Sequence, residues 1–160
     1  MENDFTRLAE AAISLELEIA NLYAVFHEIF HEDEEIWWTL SLEEKHHAAI
    51  LRSGIKYFAP LGKFPDELMN TPLDEINNLI VEIAGLCREY KKNPPARTHA
   101  FRVALEIEMN GAELHYQKFM EKRECSKLET IFQRLNDSDK DHIDRLISYM
   151  NDNEIPLEET

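Results

Sequence analysis

The sequence predicts an all-α protein with four long amphipathic helices, arranged as two helical hairpins that are joined by a long crossover containing an extra helix. Apolar residues recur at helical spacings of three and four along most of the chain. The chain has only four Gly, and its six Pro are confined to a few short stretches, which favours long helices. At 160 residues it is expected to form a single domain, 1–160, with a continuous core.

Apolar stripes and the acidic residues between them define the first two helices. A stripe from Asp4 to about His31 predicts the first helix. The cluster Glu32 to Glu35 suits a tight turn followed by the first turn of the next helix, because carboxylates are stabilised at the amino-terminal end of a helix dipole. The second helix is expected to continue to about Phe58.

The section between the two hairpins is too long for a tight turn. Ala59 to Pro72 contains Pro and Gly, and Thr71-Pro72 is typical of an N-cap followed by Pro at the first helical position. Apolar residues at helical spacing predict the extra helix from Leu73 to Lys92, and Asn93-Pro94-Pro95 ends it. This section is therefore a crossover that carries a helix.

The second hairpin follows the same pattern as the first. Ala96 to about Lys122 is the third long helix, and an apolar stripe from Leu128 to Met150 predicts the fourth. One alternative stays open, because 136–139 could break the fourth helix, with Ser138 capping a new one and Asp141 completing a capping box.

Polar residues interrupt the apolar stripe of the second helix. Glu44 and His47 lie among Trp37, Leu40 and Leu51 by helical spacing. Burying a polar group without a partner costs roughly 2 to 7 kcal/mol, so this pair must be satisfied. In helical bundles, Glu-x-x-His motifs on two facing helices, with one Glu from each of the other two, form carboxylate-bridged two-metal sites.

An internal repeat supplies the partners that such a site needs. The first and third helices place Glu16 and Glu108 at matching positions, and the second and fourth place Glu44 and Asp139 three residues before a His. The aligned residues are Ala12, Glu16, Ala20 and Leu22 with Ala104, Glu108, Ala112 and Leu114, and Leu40, Glu44, Lys45, His47 and Leu51 with Leu135, Asp139, Lys140, His142 and Leu146.

Each copy thus contributes two carboxylates and one imidazole, at about the same depth if each residue rises about 1.5 Å along its helix. The predicted metal ligands are Glu16, Glu44, His47, Glu108, Asp139 and His142. Oxygen-rich ligation with one imidazole per metal suits iron or manganese.

These residues resemble the ferritin-like di-iron carboxylate superfamily and, within it, the rubrerythrin-like proteins. The resemblance covers all four long helices and rests on Glu16-x6-Tyr23, on Glu43-Glu44-x-x-His47-Ala48, and on Asp139-x-x-His142. It implies a ferritin-like four-helix bundle whose di-iron centre reduces hydrogen peroxide or oxygen. The cofactor that the resemblance implies is two Fe ions, with Mn or Zn as possible substitutes. An alternative on the same scaffold is a ferroxidase that handles iron.

Two departures from the family pattern affect these expectations. The chain contains only Cys87 and Cys125, so it lacks the four-cysteine rubredoxin domain that delivers electrons in rubrerythrins proper. A separate donor, such as a rubredoxin or a reductase, is therefore expected. Asp139 stands where the family has Glu, one methylene longer, which changes the bridging geometry at the second metal.

Composition restricts the partners. Thirty-two acidic and seventeen basic residues give a net charge of −15, which repels nucleic acid and anionic membranes and favours cations. The sequence shows no amino-terminal signal pattern and no long apolar run, so a reducing cytoplasm is the expected location. A different class of function is a non-catalytic bundle that binds zinc or manganese structurally or serves as an acidic interaction module.

Several further residues have two interpretations. Tyr23 and His115 lie two turns along from Glu16 and Glu108, so each is an ordinary core residue or a hydrogen-bond partner of a ligand, and Tyr23 is the candidate catalytic residue. His46 is expected at the surface or behind the ligands. The Trp37-Trp38 pair is expected in the core and at a subunit contact, and together with Ile36 it favours a homodimer.

Overall fold

The computed structural model describes residues 2–58, 60, 72–115 and 141–157, and within these ranges it contains helices and no strand. The elements are α1 (Glu2–Ile29), a short 3-10 helix (His31–Asp33), α2 (Glu34–Phe58), α3 (Leu73–Lys92), α4 (Arg97–His115) and α5 (141–152). The all-α prediction is confirmed. The chain divides into two compact units, Met1–Pro94 and Pro95–Thr160, and the expectation of one domain over 1–160 stays a prediction.

The turn between α1 and α2 is built as the acidic cluster predicts, although α1 ends before His31. Phe30 leaves the helical conformation, with φ −108° and ψ 82°, and its carbonyl accepts a hydrogen bond from the Asp33 amide at 3.0 Å. Glu34 and Glu35 then form the acidic first turn of α2, where they complement the helix dipole.

The start of α3 differs from the prediction by one residue. Pro72 occupies the N-cap with φ −58° and ψ 132°, and Leu73 is the first helical residue, so Pro72 is not the first residue of the helix. The Pro72 carbonyl accepts the Ile76 amide at 3.3 Å, as an N-cap carbonyl does. Proline fits either position, since neither requires its missing amide hydrogen. Thr71 lies outside the described residues.

The core of the first unit is aromatic and joins three helices. α1 packs against both α2 and α3. The Trp37 ring lies 4.9 Å from Phe26 and 5.8 Å from Tyr23, and Phe26 lies 5.8 Å from Tyr90, measured between ring centroids. Trp37 is 0% exposed, which corrects its predicted place in a subunit contact: a side chain with no exposed surface cannot contribute there.

The second unit is held by contacts between α4 and α5. The rings of Phe101 and Tyr149 stack with centroids 5.5 Å apart and an interplanar angle of 12°. After α5, Glu154 takes a left-handed conformation with φ 56°, and the Ile155 amide donates to the Met150 carbonyl at 2.8 Å. This is a Schellman ending, and Ile155 and Met150, the two positions that usually form its apolar contact, are both buried.

No helix in the described part of the chain combines the length and the apolarity that crossing a membrane requires.

Candidate metal centre

The first unit brings three of the predicted ligands together. Glu16 lies on α1, and Glu44 and His47 lie three residues apart on α2, so both project from the same face of that helix. The three side chains are buried, with exposures of 5%, 2% and 4% in chain order. Their position within the apolar stripes explains the burial: Ala12 and Ile19 flank Glu16 in sequence and are themselves buried.

Two carboxylates meet one imidazole in this group. His47 Nδ1 lies 3.1 Å from Oε2 of Glu44, which is a hydrogen bond, and 3.7 Å from Oε2 of Glu16. One potential ligand atom from each of the three residues lies within 4.8 Å of the others. Because carboxylate oxygens and imidazole nitrogens are both metal ligands, this group could hold a metal ion.

The charges around His47 indicate that this group of side chains favours a bound cation. Burial alone lowers the pKa of His47, but the close carboxylates of Glu16 and Glu44 outweigh it through polar contact and negative charge and raise the pKa to about 10. In the metal-free protein the imidazole therefore carries a proton at neutral pH, between two acidic side chains. A metal cation would compete with that proton for the same nitrogen.

The second unit also buries an imidazole beside a carboxylate. His142 Nδ1 on α5 lies 3.4 Å from Oε2 of Glu108 on α4, and the two residues are 0% and 5% exposed. Ala104, one turn before Glu108, and Leu146, one turn after His142, are also fully buried. A carboxylate and an imidazole are thus presented side by side inside an apolar stretch of each helix, as the repeat predicts.

The remaining predicted residues have different outcomes. Asp139 lies outside the described residues, as does the possible helix break at 136–139, and the His115 side chain is also not described. His46 is exposed, in agreement with its expected surface position. Tyr23 is fully buried in the aromatic core, and its catalytic role stays a prediction.

Ser41 is a buried polar residue near the ligands that the sequence reasoning missed. Its hydroxyl donates to the Ala20 carbonyl at 2.9 Å and so links α2 to α1. Ser41 precedes Glu44 by one turn, and Ala20 follows Glu16 by one turn, so the bond lies beside both candidate ligands. The available signal was a small hydroxyl residue next to Leu40 on the buried side of the second helix.

Comparison with known proteins gave no match, whether with family models, with curated proteins or with solved structures.

Proposed function

We propose that this protein is a rubrerythrin-like di-iron oxidoreductase with a ferritin-like four-helix bundle, and that it reduces hydrogen peroxide or oxygen. The observation that carries the proposal is the buried group of Glu16, Glu44 and His47, in which two carboxylates converge on one imidazole. A soluble bundle gains little stability from burying three ionisable side chains, since desolvating charges costs several kcal/mol per ion. A bound cation gives these residues a function.

In this proposal each repeat holds one iron. Glu16, Glu44 and His47 are the ligands from the first unit, and Glu108, Asp139 and His142 are those from the second. The donor chemistry fits iron or manganese, because carboxylate oxygens outnumber imidazole nitrogens in both sets. When bound, the two metal ions supply the two electrons that, with two protons, convert hydrogen peroxide to two molecules of water.

The protein's own residues prepare the site for this chemistry. Glu16 and Glu44 hold a proton on His47 Nδ1 until a cation takes its place. The low exposure of all three residues limits the access of water and strengthens their interaction with a cation. The Ser41 to Ala20 hydrogen bond fixes the separation of the two helices that carry the ligands.

The other expectations complete the proposal. We infer a separate electron donor such as a rubredoxin or reductase, a cytoplasmic location, and a homodimer. The side chain of Tyr23, two turns from Glu16 on α1, is the proposed catalytic residue, and its phenol hydroxyl would donate a hydrogen bond to a metal ligand.

An anaerobic Fe(II) titration of metal-free protein, followed by hydrogen peroxide, tests the proposal. We expect saturation at about two irons per chain and a rapid rise in near-ultraviolet absorption from oxo-bridged diferric iron. His47→Ala should bind less iron than wild type, whereas His46→Ala, at the neighbouring exposed position, is the matched control. Absence of stoichiometric binding would mean that the carboxylates are satisfied without metal, and the enzyme proposal would then be dropped.

One observation favours a second candidate, a non-catalytic bundle. The raised pKa of His47 shows that the metal-free group already balances part of its charge with a proton. A metal-free protein that is as stable as the loaded one and silent with peroxide would support this candidate. A hollow multi-subunit shell that accumulates iron would instead support the ferroxidase alternative.

A further inference from the structure

The outer side of α2 carries an unusual row of exposed residues. These residues are separated by four, three, four, three and four positions, so they form one straight line along the helix. We name this line the α2 stripe, and its members are Trp38, Leu42, Lys45, Ala49, Arg52 and Lys56, all of which are exposed. Glu44 and His47 lie on the opposite, buried side of the same helix.

The α2 stripe differs in charge from the rest of the chain. From Trp38 to Lys56 it contains three cationic side chains and no carboxylate, and the exposed Glu34, four positions before Trp38, is the acidic residue that precedes it on the same line. The whole chain carries thirty-two acidic residues and a net charge of −15. Opposite charges across an interface raise association rates and select the correct partner. The stripe is therefore complementary to an acidic protein surface.

One end of the stripe is apolar and ordered. Trp38 is 47% exposed and Leu42 is 46% exposed. The His27 ring lies 5.2 Å from the Trp38 ring on one side, and Lys45 Nζ lies 5.8 Å from its centroid. These contacts hold the indole in place before any partner arrives, and a preorganised exposed Trp is a common anchor of protein interfaces.

The size and position of the stripe fit a transient electron-transfer partner. Complexes between redox proteins bury less than about 1,200 Å² in total, whereas obligate dimers bury about 2,000 Å² or more of mainly apolar surface. Two large apolar side chains suit the smaller class. The stripe is also separated from Glu44 and His47 only by the width of a helix, about 10 Å including side chains.

We propose that the α2 stripe is the docking surface for an acidic protein that donates single electrons to the centre. This inference rests on the proposed di-iron function and names the surface that function requires. In each encounter the donor's reduced redox group would lose one electron, which would reduce one Fe(III) held by Glu16, Glu44 and His47 or by their counterparts to Fe(II). Two donor molecules are oxidised per cycle, and no bond is formed or broken in the transfer.

Binding to metal-free protein tests the surface without relying on turnover. The probe is oxidised rubredoxin of net negative charge, titrated into isotope-labelled protein at low and at moderate salt, with shifts followed by NMR. We expect shifts centred on the stripe and a dissociation constant that rises with salt. The double variant Lys45→Glu/Arg52→Glu should weaken binding about tenfold or more, since it places like charges in the interface.

The matched control is Arg7→Glu/Arg88→Glu, which changes the net charge equally at exposed positions of α1 and α3. Equal weakening by both double variants would show only a general charge effect and overturn the proposal. So would a wild-type dimer that becomes monomeric in the stripe variant, because the stripe would then bind a second copy of the chain.

A second variant tests the apolar anchor. Trp38→Ala should raise the rubredoxin concentration needed for half-maximal peroxide reduction by about tenfold, as loss of an interface anchor does. An unchanged value would count against the proposal. Failure of the di-iron function is seen separately, because peroxide oxidation of wild-type protein loaded with Fe(II) requires no donor protein.

Discussion

Each unit buries a histidine beside carboxylates, but the two units differ in how many carboxylates they supply. In the first unit His47 lies beside two carboxylates of the same unit, Glu16 and Glu44, whereas among the described residues of the second unit Glu108 lies beside His142. Counted within the described residues of each unit, the first group has one more carboxylate than the second, and therefore more negative charge to balance. The first unit's group is therefore expected to dominate both the stability of the metal-free protein and its affinity for metal.

The largest expected effect is on the free energy of unfolding. Glu44→Ala removes the hydrogen-bonded partner of a buried, protonated His47 and should lower the free energy of unfolding by about 3 to 5 kcal/mol, the usual cost of breaking a buried ion pair. Urea denaturation of the metal-free variant measures it. Glu108→Ala should cost less than Glu44→Ala. An equal or larger loss in the second unit would contradict the ranking of the two groups.

Metal affinity should show the next largest difference. His47→Ala removes a proposed ligand from the three-residue group. It should weaken the tightest Fe(II) or Mn(II) binding by more than about 100-fold, because changes behind metal ligands already cost about 10 to 100-fold. Isothermal titration calorimetry compares it with His142→Ala. We expect the tight site to survive in His142→Ala. If His142→Ala lost the tight site and His47→Ala kept it, the tight site would belong to the second unit's group instead of the first.

The repeat explains how much of this difference the sequence could predict. Spacing alone placed Glu16, Glu44 and His47 on buried faces, and the Glu108 to His142 pairing followed from the repeat. Spacing could not supply distances, because whether Glu44 or Glu16 is the closer partner of His47 depends on rotamers and on the separation of α1 and α2. The same limit hid the bond from Ser41 to a backbone carbonyl, since a carbonyl acceptor leaves no mark in the sequence.

The residues at which helices begin and end could be predicted only where the sequence carries a strong local signal. The start of α2 agrees with the acidic cluster that predicts it, and the end of α3 agrees with Asn93-Pro94-Pro95. Both are strong local signals. Pro72 was misplaced by one residue because proline satisfies the N-cap and the first helical position equally well. Trp37 and Trp38 are adjacent and chemically identical, and only the rotation of α2 about its axis decides that the first is core and the second surface.

The pH dependence should separate the metal-free from the loaded state. The pKa of His47 is raised from about 6.5 in the unfolded chain to about 10 in the folded one, so its contribution to stability is complete below about pH 6.5. That contribution is lost as pH rises through 10. Metal binding must displace the same proton, so affinity should instead increase with pH over this range. Denaturation and metal titrations at pH 7, 8 and 9 measure the opposed trends.

His47→Ala is the control for this experiment, because it removes the group that titrates. We expect its stability to change less between pH 7 and 9 than that of wild type. If both proteins lose the same stability over this interval, other groups cause the trend, and the difference between the two units cannot be attributed to the charge on His47.

The link between the ligand helices is expected to have a smaller effect. Ser41→Ala leaves the Ala20 carbonyl without its side-chain donor and should cost about 1 kcal/mol of stability, the usual net value of a hydrogen bond. If Ser41 positions the ligands, metal affinity should also fall. The exposed Ser14 on α1, whose hydroxyl bonds the Glu10 carbonyl within one helix, provides the control Ser14→Ala. A loss of stability with unchanged metal affinity would limit Ser41 to a structural role.

The smallest expected effect concerns the second unit alone and has the opposite sign. Glu154 has φ 56° at the end of α5, a conformation that costs an L-residue with a side chain roughly 1 kcal/mol and costs glycine nothing. Glu154→Gly should therefore raise the melting temperature, while Asn153→Gly, at a helix-capping position without positive φ, should not. Because residue 154 is remote in sequence from Glu108 and His142, metal affinity should stay constant, and a change in it would show that the second group depends on how tightly α5 is anchored.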